Sequence, residues 1–436
     1  MKNQNQYILL FIIVIQSVFS FHGLAQLTNI SWQLNIGGSQ DDMISDFHQT
    51  SDQGYIFGGH TQSKDYDMAA SKGGVDIVII KTNHNGKIEW KKMFGGVGDE
   101  RLNDILLIPG GGFLLTGSTN SKKTGNIKDQ TDSDAWIVKL NSKGKIEWQL
   151  AYGDIRDNQA LSACFNQDNK FVILNKTTVP GAETRPYLGN VSLTVVSLDG
   201  KIISENVLSG EEETVPVSIQ RYGNGYLVAG IIYLPGADIY TANCNFRILK
   251  CNEKGTIEWK KSYGGTDTDM LNSCIQTTGG NLMLVGYTHS NDGNIGGGNH
   301  DTTDASFNTS DGWIVTLDSL GNLLSQKTYG YYYYDEFGSI AKTADGGYIL
   351  SGTSDHYQTA NGAGSGNQNI WILKIDDKGN KQWEKFIGGS KTEISLGCIE
   401  TKEGNFIFCG SSRSADRDVR SNKGRYDFWL GSILKP

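Results

Sequence analysis

Little in this 436-residue chain points to chemistry. Six cysteines are too sparse for a disulfide scaffold, and six prolines beside 55 glycines call for many tight turns inside an ordered fold. No basic run stands out among 39 Lys and Arg against 47 Asp and Glu, which excludes a duplex nucleic acid, whose phosphates need clustered cations. The seven histidines are scattered, and no Cys or His arrangement has zinc spacing. Beyond Ala25 no apolar run approaches the roughly 20 residues a bilayer requires, so no transmembrane anchor is expected.

The segment 1–25 is different. Lys2 precedes the apolar stretch Tyr7 to Ile15, Gln16 interrupts it before it is long enough to anchor, and Gly23-Leu24-Ala25 supplies a small-residue cleavage pattern. This is the layout of a secretory signal peptide. The expectation is an exported protein, periplasmic or extracellular, with residues 26–436 forming one domain.

What the chain does have is repetition. Its nine tryptophans occupy two slots: Trp32, Trp90, Trp148, Trp259 and Trp383 in one, Trp136, Trp313, Trp371 and Trp429 in the other. Aligned on Gly-Lys-Ile-Glu-Trp (86–90 and 144–148), units start at Trp32, Trp90, Trp148, Ser204, Trp259, Ser325 and Trp383. A repeat this long, built from short strands and without sustained helical periodicity, indicates propeller blades rather than a helical solenoid. In the second unit the strands read Ile88 to Phe94, Asn103 to Ile108, Phe113 to Ser118 and Ala135 to Leu140. Runs such as Asn369-Ile-Trp-Ile-Leu-Lys-Ile375 are apolar on both faces, as a strand between two layers must be.

The spacing also predicts how the ring closes. Trp136 to Trp148, Trp313 to Ser325 and Trp371 to Trp383 share one identical separation, a fixed hairpin register joining the third strand of a blade to its outermost strand. Trp429 should then have a partner near position 441, beyond Pro436, whereas Asn29 to Ile36 has the outer-strand pattern and no hairpin of its own. The fold expected is therefore an all-β, seven-bladed β-propeller of four-stranded antiparallel blades, closed by the N-terminal strand. Degenerate third and fourth units leave six or eight blades as alternatives.

Strand order sends the short turns to one face and the long second-to-third connections, with the links between blades, to the other. Each inter-blade link is acidic: Asp41 and Asp42, Asp99 and Glu100, Asp157, Glu213, Asp269, Asp335, Glu393. Such a ring either binds cations or hydroxyl-rich ligands, or caps backbone N–H groups at the turn into each inner strand. Asp-x-Asp/Asn pairs recur in the long loops, at Asp65 and Asp67, Asp292 and Asn294, and Asp416 and Asp418; they are either calcium ligands, without a full calcium-binding loop ending in a bidentate Glu, or turn-stabilising side chains. Tyr331, Tyr332, Tyr333 and Tyr334 replace a Gly-Gly loop of other units, placing aromatics on the long-loop face either to stack on a partner or to plug the channel mouth. Cys274 and Cys398 fall at equivalent repeat positions, expected as small buried strand residues. Cys398 and Cys409 flank Lys402-Glu403-Gly404-Asn405 symmetrically, compatible with a cross-hairpin disulfide or with two packed thiols.

The hairpin Asp311-Gly-Trp-Ile-Val-Thr-Leu-Asp-Ser-Leu-Gly and the segment Asp345-Gly-Gly-Tyr-Ile-Leu-Ser-Gly resemble the secreted β-propeller repeats abundant in Bacteroidetes. The outer-strand Gly-x-Ile-x-Trp is similar to the blade repeat of quinoprotein dehydrogenases. That likeness implies the scaffold alone, because the chain has no adjacent cysteine pair and no identifiable quinone or metal ligand set. The functional expectation is an exported, non-catalytic binding or interaction module for a protein or glycan partner, a monomer with no cofactor other than a possible role for calcium. A carbohydrate-active hydrolase or lyase with carboxylates at the channel mouth, and a structural component of the cell envelope or matrix, are the alternatives.

Overall fold

The computed structural model describes residues 30–435 apart from 122–132, 155, 179–187, 209, 211–212, 238–242, 296–308, 332 and 356–367. The segment expected to be a signal peptide and Tyr332 lie outside the described residues, as do parts of several long loops. Twenty-eight strands, β1 to β28 in chain order, form seven four-stranded antiparallel sheets. In the first blade the strands are β2 (Asp42–Gln49), β3 (Tyr55–Thr61), β4 (Asp76–Thr82) and β5 (Ile88–Phe94), ordered from the channel outward. The seventh blade has the order β26 (Glu393–Glu400), β27 (Phe406–Ser412), β28 (Asp427–Ile433), β1 (Ile30–Ile36). The ring is a seven-bladed propeller closed by its N-terminal strand, as the tryptophan spacing requires.

Burial follows strand position. Every residue of β4 and of β28 is buried, because neighbouring blades cover both faces of a third strand. Outer strands such as β5 are exposed or half-buried over most of their length and carry charged residues, here Glu89, Lys91 and Lys92. The seven clusters of buried apolar side chains correspond to the seven blade-to-blade interfaces, so the hydrophobic core is divided around the ring.

Both tryptophan slots build those interfaces. Trp136, Trp313, Trp371 and Trp429 sit on third strands at 2% exposure or less, where truncation to alanine costs about 3–5 kcal/mol. Four of the five outer-strand tryptophans reach to the following blade and meet the aromatic that opens its second strand: Trp32 with Tyr55, Trp90 with Phe113, Trp148 with Phe171 and Trp383 with Phe406, ring centres 5.1–6.2 Å apart. Trp90 also covers Gly144 of the next hairpin, whose φ of 72° and closeness to the ring (2.9 Å from a Cβ position) leave room only for glycine.

Each inner strand carries one bulge at the same repeat position, at Ser45, Asn103, Leu161, Val217, Asn272, Gly338 and Leu396. The extra residue turns two successive positions toward the channel, and these seven pairs line the central cavity. The cysteines follow the register. The turn after β26 runs from Thr401 to Asn405, an odd number of positions, so Cys398 pairs with Phe408 and Cys409 with Gly397. This one-residue offset places the two thiols on opposite faces of the sheet, and both cysteines are free, which resolves the disulfide alternative. Cys398 is buried and Cys274 half-buried.

Candidate functional site

The acidic ring divides into buried and surface members. Asp42 accepts hydrogen bonds from the Gly38 amide (2.6 Å), from Ser63 Oγ (3.0 Å) and from the Thr61 hydroxyl. Asp269 repeats the pattern with Gly265 (2.7 Å), Ser290 (3.0 Å) and Thr288. Glu100 accepts from Gly96 (2.7 Å) and Thr119 (2.6 Å), Glu393 from Gly389 (2.8 Å) and Ser412 (2.9 Å), and Asp335 from the Tyr331 amide (2.6 Å). All five carboxylates have 0% exposure and fasten the inter-blade link to the end of the second strand. Asp41, Asp99 and Asp157 lie nearer the surface: Asp41 pairs with Arg425 at 3.3 Å, Asp99 accepts from the Val75 amide at 3.0 Å, and Asp157 is exposed and accepts from the Ser133 amide at 3.0 Å.

The Asp-x-Asp pairs complete the same corners. In the link entering the first blade four consecutive amides are each capped: Gly37 by Asp67 (3.2 Å), Gly38 by Asp42, Ser39 by Asp65 (2.8 Å) and Gln40 by Ser63 Oγ (2.9 Å). The fifth blade does this with Asn294, Asp269, Asp292 and Ser290, and the seventh with Asp418, Glu393, Asp416 and Ser414. The residue between the paired acids is left-handed each time: Tyr66 at φ 46°, Gly293 at 66° and Arg417 at 54°. Glycine is the residue that conformation favours. Tyr66 is nevertheless a tyrosine, and it is 67% exposed.

A second tier of acids, not singled out from the sequence, faces the first across these corners. The point a Cβ would occupy on Gly37 is 2.2 Å from Asp427 Oδ1 and 2.9 Å from Asp42 Oδ2; on Gly95 it is 1.8 Å from Asp76 Oδ1 and 2.6 Å from Glu100 Oε2. At Gly330 the pair is Asp311 and Asp335. Three further corners replace one acid by an amide: Asn158 with Asp134, Asn245 with Asp269, and Asn369 with Glu393. The first glycine of the link thus exists to admit two side chains. Burial pushes Asp269 and Asp427 up to about 6 and Asp335 to about 7, and raises Asp42 despite its bonds to Thr61, Gly38 and Ser63.

The tyrosine segment is only partly exposed. Gly330 keeps the first glycine of the link, so Tyr331 replaces the second. Tyr331 packs edge-on against Trp371 and Phe386, with ring centres 6.3 and 5.7 Å away, and its hydroxyl donates to Glu384 at 2.7 Å. Tyr333 is half-buried and Tyr334 is 43% exposed.

The channel holds a group that the sequence reading missed. The bulges of the first two blades bring Asp46, His48 and Asp104 together, with one ligand-capable atom of each within 4.8 Å of the others. They open on a cavity of about 420 Å³ whose remaining wall is serine, asparagine, glycine and apolar side chains from all seven blades. His48 Nε2 lies 2.8 Å from Asp46 Oδ2, which also accepts from the Ile105 amide at 2.7 Å. Asp104 Oδ2 accepts from Ser162 Oγ and the Ala163 amide, both at 2.9 Å. Burial alone would lower the His48 pKa, but the adjoining Asp46 carboxylate and the charge of Asp104 raise it to about 9. Against burial, His48 holds Asp46 below the usual carboxylate range, while burial and the Asp46 charge push Asp104 up to about 7. A signal was present in the repeat. At the fifth residue of each inner strand the chain has Asp46 and Asp104 but then Ser162, Ser218, Ser273, Ser339 and Gly397, so two acids stand among small residues.

Among the described residues no helix is long and apolar enough to cross a membrane. Neither a family model nor a curated relative matches the chain. In shape it is similar to Drosophila Semaphorin 2a, at 6% identity over 92% of this chain and 74% of that one with a TM-score of 0.52. It is similar also to puromycin hydrolase, at 9% identity over 86% of this chain and 51% of that one with a TM-score of 0.51. A protein of unknown function from Bacteroides caccae aligns at 12% identity over 81% of this chain and 93% of that one, TM-score 0.43. At such identities the likeness is one of fold alone.

Proposed function

We propose that the protein is an exported, non-catalytic interaction module that recognises a protein or glycan partner through its long-loop face. The observation that carries this reading is Tyr66. Its backbone occupies a left-handed position where the fifth blade has Gly293 and the seventh Arg417, a conformation that costs a non-glycine residue about 1–2 kcal/mol. With 67% of its surface exposed, the ring recovers little of that by packing. The clamped acids Asp65 and Asp67 on either side hold it outward, and Val97, 85% exposed, stands on the neighbouring inter-blade link. A rigidly mounted, exposed aromatic and an exposed apolar side chain on the same face have the composition of a contact surface, whether the partner is a sugar face or a protein.

The test separates binding from folding. Tyr66→Gly should retain or raise the melting temperature and weaken capture of the partner, identified on a glycan array or by cross-linking at the cell surface. Unchanged capture by Tyr66→Gly and Val97→Asp together would refute the loop-face reading. Sugar cleavage by the chain, lost in Asp99→Ala and Asp157→Ala, would instead support the hydrolase alternative.

A further inference from the structure

We infer that the channel holds a divalent transition-metal site formed by His48 of the first blade with Asp46 and Asp104. One imidazole nitrogen with two carboxylate oxygens is a donor set suited to zinc and its neighbours, the ion displacing to solvent the proton held between His48 and Asp46, whereas calcium and magnesium take oxygen alone. The three donor atoms already lie within 4.8 Å of one another. Donors around a four-coordinate zinc, at bonds of about 2.0–2.2 Å, stand roughly 3.4 Å apart, so small side-chain rotations complete the set. Three protein ligands leave a coordination position open, and here it faces the 420 Å³ cavity.

The architecture does not account for these residues by itself. Asp46 and Asp104 each cap an amide of the next blade's inner strand, Ile105 and Ala163. Ser162, at the same repeat position in the third blade, performs that task with a hydroxyl, accepting from the Ile219 amide at 3.4 Å. A carboxylate in this column therefore exceeds what blade packing needs, and it occurs in two adjacent blades, the first of which also carries His48. The other repeat-equivalents of His48 are Leu106, Cys164, Gln220, Ile275, Ala341 and Ile399, none of which adds charge. An ion here is surrounded by hydroxyl and amide groups able to orient ligand waters or a small anionic ligand on the open position.

The experiment is titration of the full chain with Zn2+, followed calorimetrically. One ion per chain is expected. Asp104→Ser, which installs the third blade's own residue, and His48→Gln, which keeps a donor toward Asp46, should each weaken uptake by more than about 100-fold, beyond the 10–100-fold typical of losing an outer-sphere partner. Absence of stoichiometric uptake, or uptake unchanged in both variants, overturns the site. X-ray absorption at the zinc edge of the unmodified protein gives a readout independent of variant folding: one imidazole with oxygen neighbours supports the assignment, and sulfur or several imidazoles overturn it. Displacement of the zinc by an equal concentration of Ca2+ also overturns it.

Discussion

The indole nitrogen of Trp429 donates to the side-chain oxygen of Gln33, 3.2 Å away and 396 positions earlier in the chain. Trp313 makes the same contact with Gln326 (3.0 Å) and Trp371 with Glu384 (3.1 Å), but there the partners belong to one hairpin. Closure therefore reproduces a local contact with strands from the two ends of the chain. Gln33 also donates to the Asp418 carbonyl (2.9 Å) and accepts from the Arg420 amide (3.1 Å), tying β1 to the loop before β28.

Gln33→Ala should destabilise the protein by about 1–3 kcal/mol, because it leaves the indole N–H of a buried tryptophan without its acceptor. Deleting residues 30–36 should do far more, since it strips β28 of the strand paired along one edge and leaves the backbone groups beside the buried Phe428, Trp429 and Leu430 without partners. Urea unfolding of both variants, beside a control lacking only residues 434–436, checks the difference.

The facing acids predict an unusual pH dependence. Asp427 is raised to about 6 by burial and by the charges of Asp42 and Asp67, with Lys423 acting in the opposite direction. A carboxyl whose folded pKa exceeds its unfolded value contributes stability that is complete below about pH 4 and is lost as pH rises through the folded value. Asp269 at about 6 and Asp335 at about 7 act in the same window. Asp427→Asn copies the amide corners, where Asn245 can donate to Asp269 Oδ2 at 3.2 Å. The variant should be more stable than the parent at pH 8, by roughly 1–3 kcal/mol, and little changed at pH 4. Thermal unfolding at the two pH values decides; an equal shift at both would show that the pair is not protonated in the fold.

Strand number, blade order and ring closure were legible because they rest on spacing, which bulges and loop insertions leave intact between Trp136 and Trp148 or Trp371 and Trp383. The acidic ring was legible as a pattern, yet Asp42 and Glu100 could not be distinguished from exposed acids until their amide and hydroxyl donors were placed. Asp427 and Asp76 open third strands, whereas the acids they face, Asp42 and Glu100, open the inner strands of the following blades, so no local motif joins them. The channel triad was harder still: Asp46 and Asp104 lie one full repeat apart and meet only because a bulge in each inner strand redirects them. Cys398 and Cys409 show the limit of symmetry arguments, since one extra turn residue moves a side chain to the other face.

The glycine that opens six of the seven inter-blade links should be intolerant of any side chain. Gly95→Ala places a Cβ 1.8 Å from Asp76 Oδ1 and should destabilise by about 3 kcal/mol or more. Gly404→Ala, at φ 82° with no neighbour within 4 Å, should show only the left-handed penalty of about 1–2 kcal/mol. Combining Gly95→Ala with Asp76→Ala should recover part of the loss, and the coupling in that double-mutant cycle measures the contact. Additive losses would mean that the glycine is required by the backbone alone.

The Asp-x-Asp pairs should behave as acceptors rather than as charges. Asp65 holds the Ser39 amide and Asp416 the Ser390 amide, each at 2.8 Å, and at the neighbouring position of these corners an amide oxygen already serves as well as a carboxylate, Asn294 capping Gly264 where Asp67 caps Gly37. Asp65→Asn and Asp416→Asn should therefore leave the melting temperature near that of the parent, while the alanine variants lower it and speed hydrogen exchange at Ser39 and Ser390. Addition of millimolar Ca2+ should change none of these values. A calcium site would give the reverse order: removal of the carboxylate charge would damage it in the asparagine variants as well, and Ca2+ would protect the parent but not the variants. Exchange rates at Ser39 and Ser390, measured with and without Ca2+, distinguish a clamp from an ion site at the same residues.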